Sequence, residues 1–210
     1  LRIAAHFSGD ENMIDAFKSG KDIHAATAER MGVERRIAKA INFGLLFGQG
    51  AFGLSEALGI PQSEAREFID QYFATYPKLH EWMKSVQDLA KERGYAETLH
   101  GRRRYLAEIN GHHAALRAFA ERVALNHPIQ GTAADLMKKA MINIDKSLKE
   151  AFKLHDGLPA DRPVRMLLQV HDELVFEVKN NLIEKASQII QKEMESVTKL
   201  KVPIEVHIGS

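Results

Sequence analysis

Apolar residues recur at intervals of three and four along nearly every stretch between Asp10 and Gly94, and that spacing commits this part of the chain to helices. An α-helix turns once in about 3.6 residues, so Ala65, Phe68, Ile69 and Tyr72 share one face, as do Leu79, Met83, Val86 and Ala90. Punctuation between the faces sets the breaks. Ser8-Gly-Asp-Glu11 fits a capping box opening a helix to about Lys18, which stops at Gly20. Asp22 caps a second helix ending near Gly32. A third begins at Glu34 and is broken by Gly48, Gly50 and Gly53. Pro61 suits the first turn of the next, Tyr76-Pro77 marks a boundary, and Gly94 closes the last. Before all of these, Leu1 to Phe7 reads as the end of a strand passing into a turn.

Beyond Gly94 the pattern changes. Tyr95 to Leu106 reads as two strands around a turn at Gly101. A helix from about Ala114 to Asn126 is expected to be interrupted at His127-Pro128 and to resume from Ile129 to Glu150, because proline removes a donor and clashes with the preceding turn. His155 to Pro163 is a loop. Val164 to Val170 and Glu173 to Val178 are β-rich runs joined by a tight turn at His171-Asp172. Leu182, Ala186, Ile189, Ile190 and Met194 define a final helix, and Val202 to Ile208 alternates as a closing strand. The whole is α+β. At 210 residues the chain lies between one large domain and two small ones.

A formal charge of +1 gives no global attraction to nucleic acid, so any basic footprint is local, at Arg35/Arg36/Lys39 or Arg102/Arg103/Arg104. Without cysteine there is neither a disulfide framework nor a thiolate metal site. No apolar run is long enough to span a bilayer, and no membrane partner is expected, which makes a cytoplasmic enzyme the expectation.

Two places carry chemistry. Arg35, Lys39, Phe43 and Phe47, each four apart, make a helical stripe of two cations followed by two rings. The cations attract a triphosphate, arginine through its planar fork and lysine as a point charge, while a sugar and base can lie against the rings. The plainer reading is an amphipathic helix with a solvated basic end. Asp172 and Glu173 form the other place, at the tip of the expected hairpin, where a carboxylate held at a fixed point suits a hard cation such as Mg²⁺. The plainer reading there is a solvated acidic turn.

Arg-x-x-x-Lys-x-x-x-Phe-Gly with a following aromatic-Gly pair resembles the nucleotide-binding helix of family A DNA polymerases, the polymerase I type. Leu-Leu-Gln-Val-His-Asp-Glu-Leu-Val-Phe-Glu resembles that family's third polymerase motif, and the two stand in the family's order. Between them, Arg122, Asn126 and Gln130, with Gln130-Gly-Thr-Ala-Ala-Asp, are similar to the segment that touches the minor groove of the primer-terminal pair, a job suited to amides because the groove offers similar acceptors at every pair. Thr98-Leu-His-Gly-Arg-Arg-Arg104 is similar to an arginine turn against the template-primer backbone. The resemblance implies helical fingers over 11–94, an antiparallel-sheet palm with packed helices over 95–210, and the end of the first palm motif in 1–10. It implies that His24, Arg35 and Lys39 hold the triphosphate of a deoxynucleoside triphosphate and that Phe43 faces its sugar, with Phe disfavouring nucleotides that lack a 3′-hydroxyl. On the same resemblance Phe47, where the family usually has Tyr, is expected to pack near the templating base, Arg102 and Arg103 to bind primer-template DNA with Arg122, Asn126 and Gln130, and His171 to lie beside the primer terminus. The resemblance likewise implies that Asp172 binds metal, with Glu173 in support, and that the complete enzyme uses two Mg²⁺ ions.

The resemblance departs from the family at three edges. The first metal-binding aspartate would precede Leu1-Arg2-Ile3, so this chain alone is expected to lack catalysis and to need the missing N-terminal part of the same polymerase. The link between His24 and Arg35, around Gly32-Val33-Glu34, is shorter than the family's, and the sequence stops at Ser210, where the family usually continues into a short tail. The reading requires the cationic-aromatic ridge to confront the acidic hairpin tip. Its rivals are a single-subunit RNA polymerase, which usually carries serine at the position of Glu173, and a catalytically silent nucleic-acid-binding module.

Overall fold

The computed structural model describes residues 1–154 and 162–209, and most of the expected loop from His155 to Pro163 lies outside them. In chain order the elements are α1 (Arg2–Ser8), α2 (Glu11–Lys18), α3 (Ile23–Met31), α4 (Arg35–Leu46), α5 (Ala51–Leu58), α6 (Gln62–Thr75), α7 (Pro77–Arg93), β1 (Tyr95–Glu97), β2 (Arg103–Tyr105), α8 (Ala114–Phe152), β3 (Val164–Val170), β4 (Glu173–Val178), a 3₁₀ turn (Asn180–Leu182) and α9 (Ile183–Glu195). This is the expected α+β composition, mostly helix with two antiparallel pairs, β1 with β2 and β3 with β4. The chain divides into two compact units, one of residues 1–133 with 200–203, the other of 134–199 with 204–210.

In the first unit the apolar faces of α1 to α7 meet in one core, with Met13, Ile41, Leu46, Leu54, Tyr72, Tyr76 and Leu79 almost wholly enclosed, joined by Leu125 and Ile129 of α8. A smaller cluster of Ala90, Ala96, Leu106, Ile109, Ala120 and Ala124 seats the first hairpin. Asp10 knits two helices into this core. It is 1 % exposed; Oδ1 accepts from Met13 N–H at 3.2 Å, while Oδ2 accepts from the N–H groups of Lys78 and Leu79 at 3.1 and 3.4 Å. One carboxylate therefore serves donors at the starts of both α2 and α7, where helical N–H groups lack partners.

Several expectations are corrected. Leu1 to Phe7 is helical, not the end of a strand, because adjacent Ala4 and Ala5 are both fully buried, whereas a strand would send them to opposite faces. The cap of α2 is Asp10, with Ser8 Oγ accepting only from Asp10 N–H, in place of the Ser8/Glu11 box. Gly53 lies inside α5 rather than breaking a helix; a Cβ there would stand 2.8 Å from Cγ of Gln49, whose side chain also lies over Gly44. Pro61 sits at the N-cap of α6. Helix α8 runs through Pro128 without the expected interruption. Ala124, Leu125 and Ile129 are buried on either side, and that burial offsets the backbone bond the ring removes.

In the second unit β3 and β4 pair from Val164↔Val178 to Val170↔Glu173, with Leu167 as an extra residue between the Met166↔Phe176 and Leu168↔Val175 pairs. Ser147 Oγ donates to Glu193 Oε1 at 2.9 Å, tying α8 to α9. Val202 to Ile208 is no strand. Side chains of α9 take its backbone groups instead: Gln191 Nε2 donates to Val206 O at 3.2 Å and Val206 N–H donates to Glu195 Oε1 at 3.1 Å. No helix among the described residues is long and apolar enough to cross a membrane.

Candidate nucleotide and nucleic-acid site

Helix α4 presents its stripe as the spacing requires. Arg35, Lys39 and Phe43 are exposed and Phe47 is half-buried, while Ala38, Ile41, Asn42, Leu45 and Leu46 face inward. Phe43 and Phe47 stack with centroids 6.4 Å apart and planes at 15°. The His24 ring, on α3, lies 5.3 Å from Phe43. Cations, rings and histidine are thus brought together on two adjacent helices, joined by a link in which Gly32 takes the left-handed conformation at φ 65°. Asp22 both caps α3, accepting from Ala25 N–H at 2.8 Å, and holds Arg35, accepting from Nε at 3.2 Å and Nη2 at 2.7 Å. Hydrogen bonds from Arg35 and then from Ala25 hold the Asp22 carboxyl down to about 2. Burial pushes His24 below the usual histidine range against the pull of Asp22, and Arg35 and Lys39 push it further.

Where α4 ends, Gly48 turns at φ +79°, and Arg122 of α8 lies over it, its Cγ 3.3 Å from where a Cβ would stand. The Arg122 guanidinium is 5.9 Å from the Phe119 ring centroid. One turn on, Oδ1 of Asn126 is buried with no hydrogen-bond partner among the described residues, and Gln130 is exposed.

The arginine turn docks on this part of α8. Leu99 N–H donates to Thr132 Oγ1 at 2.9 Å, Arg102 Nη2 donates to Gly131 O at 2.9 Å, and His127 Nε2 lies 3.1 Å from Arg102 O. Gly131 permits the approach, since any Cβ there would collide with the Thr98 methyl and crowd the His127 ring. Arg103 pairs with Glu97 at 2.7 Å and lies 4.6 Å over the Tyr95 ring. Arg104 is exposed, and no described residue pairs with it. Spacing alone did not single out Thr98, Gly131 or Thr132, because their part is to hold one another across more than thirty intervening residues.

The second unit holds the acids. His171 and Asp172 form the two-residue turn between β3 and β4, both exposed, with Glu173 the first residue of β4. His171 sits at φ 53°, a left-handed conformation uncommon outside glycine, and its carbonyl accepts from Gln169 Nε2 at 2.9 Å. Asp172 offers a hard oxygen ligand. Among the described residues no three His, Asp or Glu side chains gather as a metal cluster, so they do not complete a centre for two ions.

The family profile of DNA polymerase family A matches residues 1–210, and the chain belongs to that family. It is 46 % identical over 218 residues to the thermostable DNA polymerase I of Thermus thermophilus and 45 % identical to DNA polymerase I of Pseudomonas aeruginosa, with all of this chain covered in each. Among solved structures it is similar to the POL domain of Pol1 from M. smegmatis, in complex with DNA primer-template and dNTP, at a TM-score of 0.89 and 40 % identity over 97 % of this chain. The chain spans about a quarter of the length of these curated relatives and 36 % of that solved chain.

Proposed function

We propose that this chain supplies the fingers (11–94) and much of the palm (95–210) of an enzyme that adds deoxynucleotides to a primer 3′ end under the direction of a DNA template. The primer hydroxyl attacks the α-phosphate and pyrophosphate leaves. Arg35, Lys39 and His24 hold the triphosphate, Phe43 meets the sugar and Phe47 packs near the templating base. Arg102, Arg103, Arg122, Asn126 and Gln130 bind primer-template DNA, with His171 beside the primer terminus. Asp172 takes the metal, with Glu173 beside it; Mg²⁺ is the ion we assign, since it prefers hard oxygen ligands. A divalent ion neutralises charge on the transferring phosphoryl group when bound. A cytoplasmic setting belongs to the same proposal.

The observation that carries the proposal is the convergence of His24, Arg35, Phe43 and Phe47 on α3 and α4, with Lys39 between them. Photolabelling with an azido analogue of deoxyadenosine triphosphate, followed by peptide mapping, tests it. Label should fall on the peptide containing residues 33–50, compete with deoxynucleoside triphosphate but poorly with monophosphate, and vanish in an Arg35→Ala/Lys39→Ala variant. Label scattered over the chain, or indifferent to both substitutions, would overturn it.

A further inference from the structure

Beneath the exposed ridge of α4 lies a polar chain that spacing and resemblance leave without a role. Asn42 is wholly buried, one position before Phe43. Its Nδ2 is 3.0 Å from Thr27 Oγ1 and 3.2 Å from Nδ1 of His24. Thr27, equally buried, has its hydroxyl 2.8 Å from Ile23 O and 2.8 Å from the hydroxyl of Tyr76.

Counting protons settles who donates to whom. Thr27 has one hydroxyl proton, and Ile23 O can only accept, so a contact of 2.8 Å requires that proton to lie between them. Thr27 Oγ1 must then accept from both Tyr76 O–H and Asn42 Nδ2. Asn42 Oδ1 already lies 3.4 Å from the Thr27 hydroxyl oxygen, farther than Nδ2; turning the amide over would bring Oδ1 to the 3.0 Å position, lone pair to lone pair against Thr27, and set it against His24 Nδ1. With the amide so fixed, its second N–H points at His24 Nδ1. That nitrogen can only accept, so the ring is neutral with its proton on Nε2.

We propose that Asn42 is a positioning residue, which holds His24 in the Nε2–H form and so presents that N–H as the ring's donor to a triphosphate. The inference deepens the nucleotide reading above and rests on it for the identity of the acceptor. No described residue bonds Nε2. The ring is fixed on one side by this bond and flanked by Phe43, so the N–H has a set direction. Asp22, Arg35 and Lys39 are the charged side chains around it, and the excess of cations together with burial favours the neutral ring. The anchor reaches back through Thr27 to Tyr76, at the N-cap of α7, so the donor is referenced to three helices rather than to its own.

Imidazole nitrogen NMR of His24 in the intact chain tests this without any variant. The wild-type ring should show a lone-pair Nδ1 and a protonated Nε2; a protonated Nδ1 would overturn the proposal. Asn42→Asp keeps the shape but offers only acceptors, and should invert the tautomer; a ring unchanged by that substitution would equally overturn it. Titrating deoxyadenosine triphosphate into the chain and its His24→Ala variant supplies the third readout. Asn42→Leu, which removes the donor without adding charge, should weaken binding about tenfold with His24 present, as loss of a hydrogen bond to a charged group requires, and have little effect without it. Equal weakening in both backgrounds would reduce Asn42 to a general structural role and sink the proposal. If the triphosphate binds nowhere near His24 while the tautomer behaves as stated, the nucleotide reading falls and the hold of Asn42 on His24 stands.

Discussion

Arg35 meets Asp22 fork to fork, Nε at 3.2 Å from Oδ1 and Nη2 at 2.7 Å from Oδ2, so the guanidinium proposed for the triphosphate already holds an anion. A phosphate arriving at α4 must take Arg35 from a carboxylate that matches its planar donors. Asp22→Asn removes the competing charge and retains a good N-cap for α3. Triphosphate affinity should rise several-fold at low salt, while stability changes by less than about 1 kcal/mol, because both side chains are about half exposed. Weaker binding in a titration would show that Asp22 orients Arg35 for the ligand instead of competing for it.

The acid limb of stability should have two parts. Asp22 is held down to about 2 by Arg35, so its contribution is complete above the ordinary aspartate value of 3.8 and is lost as pH falls toward 2. His6 and His24 are both lowered from 6.5, chiefly by burial, with Lys201 adding to the effect on His6. His6 Nδ1 accepts from Lys201 N–H at 3.1 Å, which a protonated ring cannot do. Their contribution is present above pH 6.5 and lost as pH falls below it through their folded values. Urea midpoints should therefore fall between pH 7.5 and 5.5, and a His6→Asn/His24→Gln variant should flatten that slope. An unchanged slope would rule out these two rings as its source.

Arg35 to Phe47 could be read from the sequence because a four-residue interval on a helix is a local property, and β3 and β4 because two Leu/Val-rich runs flank a two-residue turn. Leu1 to Phe7 could not, since only the core around Ala4 and Ala5 distinguishes helix from strand there. Pro128 was misleading for the converse reason: a local rule against proline gives way where the flanking residues are buried. Val202 to Ile208 alternates like a strand, yet Gln191 and Glu195 reach its backbone from a helix. Asn42 carries no local signal, because it faces inward beside the residues that resemblance singles out; its partners Thr27 and His24 lie fifteen and eighteen positions away.

Asp10 should be among the costliest polar residues to remove. Asp10→Ala orphans N–H groups of Met13, Lys78 and Leu79 at two helix starts, and should cost about 2–4 kcal/mol by urea denaturation. Asp10→Asn can accept on only one side and should cost about half as much. A loss under about 1 kcal/mol for the alanine would mean water replaces the carboxylate at both ends.

Tyr72 and Tyr76 make the sharpest contrast, being four apart, both wholly buried, with ring centroids 5.1 Å apart. The Tyr76 hydroxyl is bonded to Thr27 at 2.8 Å, whereas that of Tyr72 has no partner among the described residues. Burial pushes both phenols above the usual tyrosine range, so neither ionises near neutrality. Removing an unpaired buried hydroxyl relieves its desolvation, while removing a paired one strands its partner. Tyr72→Phe should leave stability unchanged or raise it by about 1 kcal/mol. Tyr76→Phe should lower it by about 1–2 kcal/mol, because Thr27 Oγ1 loses one of the two donors it accepts from. Measured in parallel by urea denaturation, losses of equal size would mean that Tyr72 also finds a partner in solution, whereas no loss in either variant would mean that the buried polar chain ending at His24 does not depend on Tyr76.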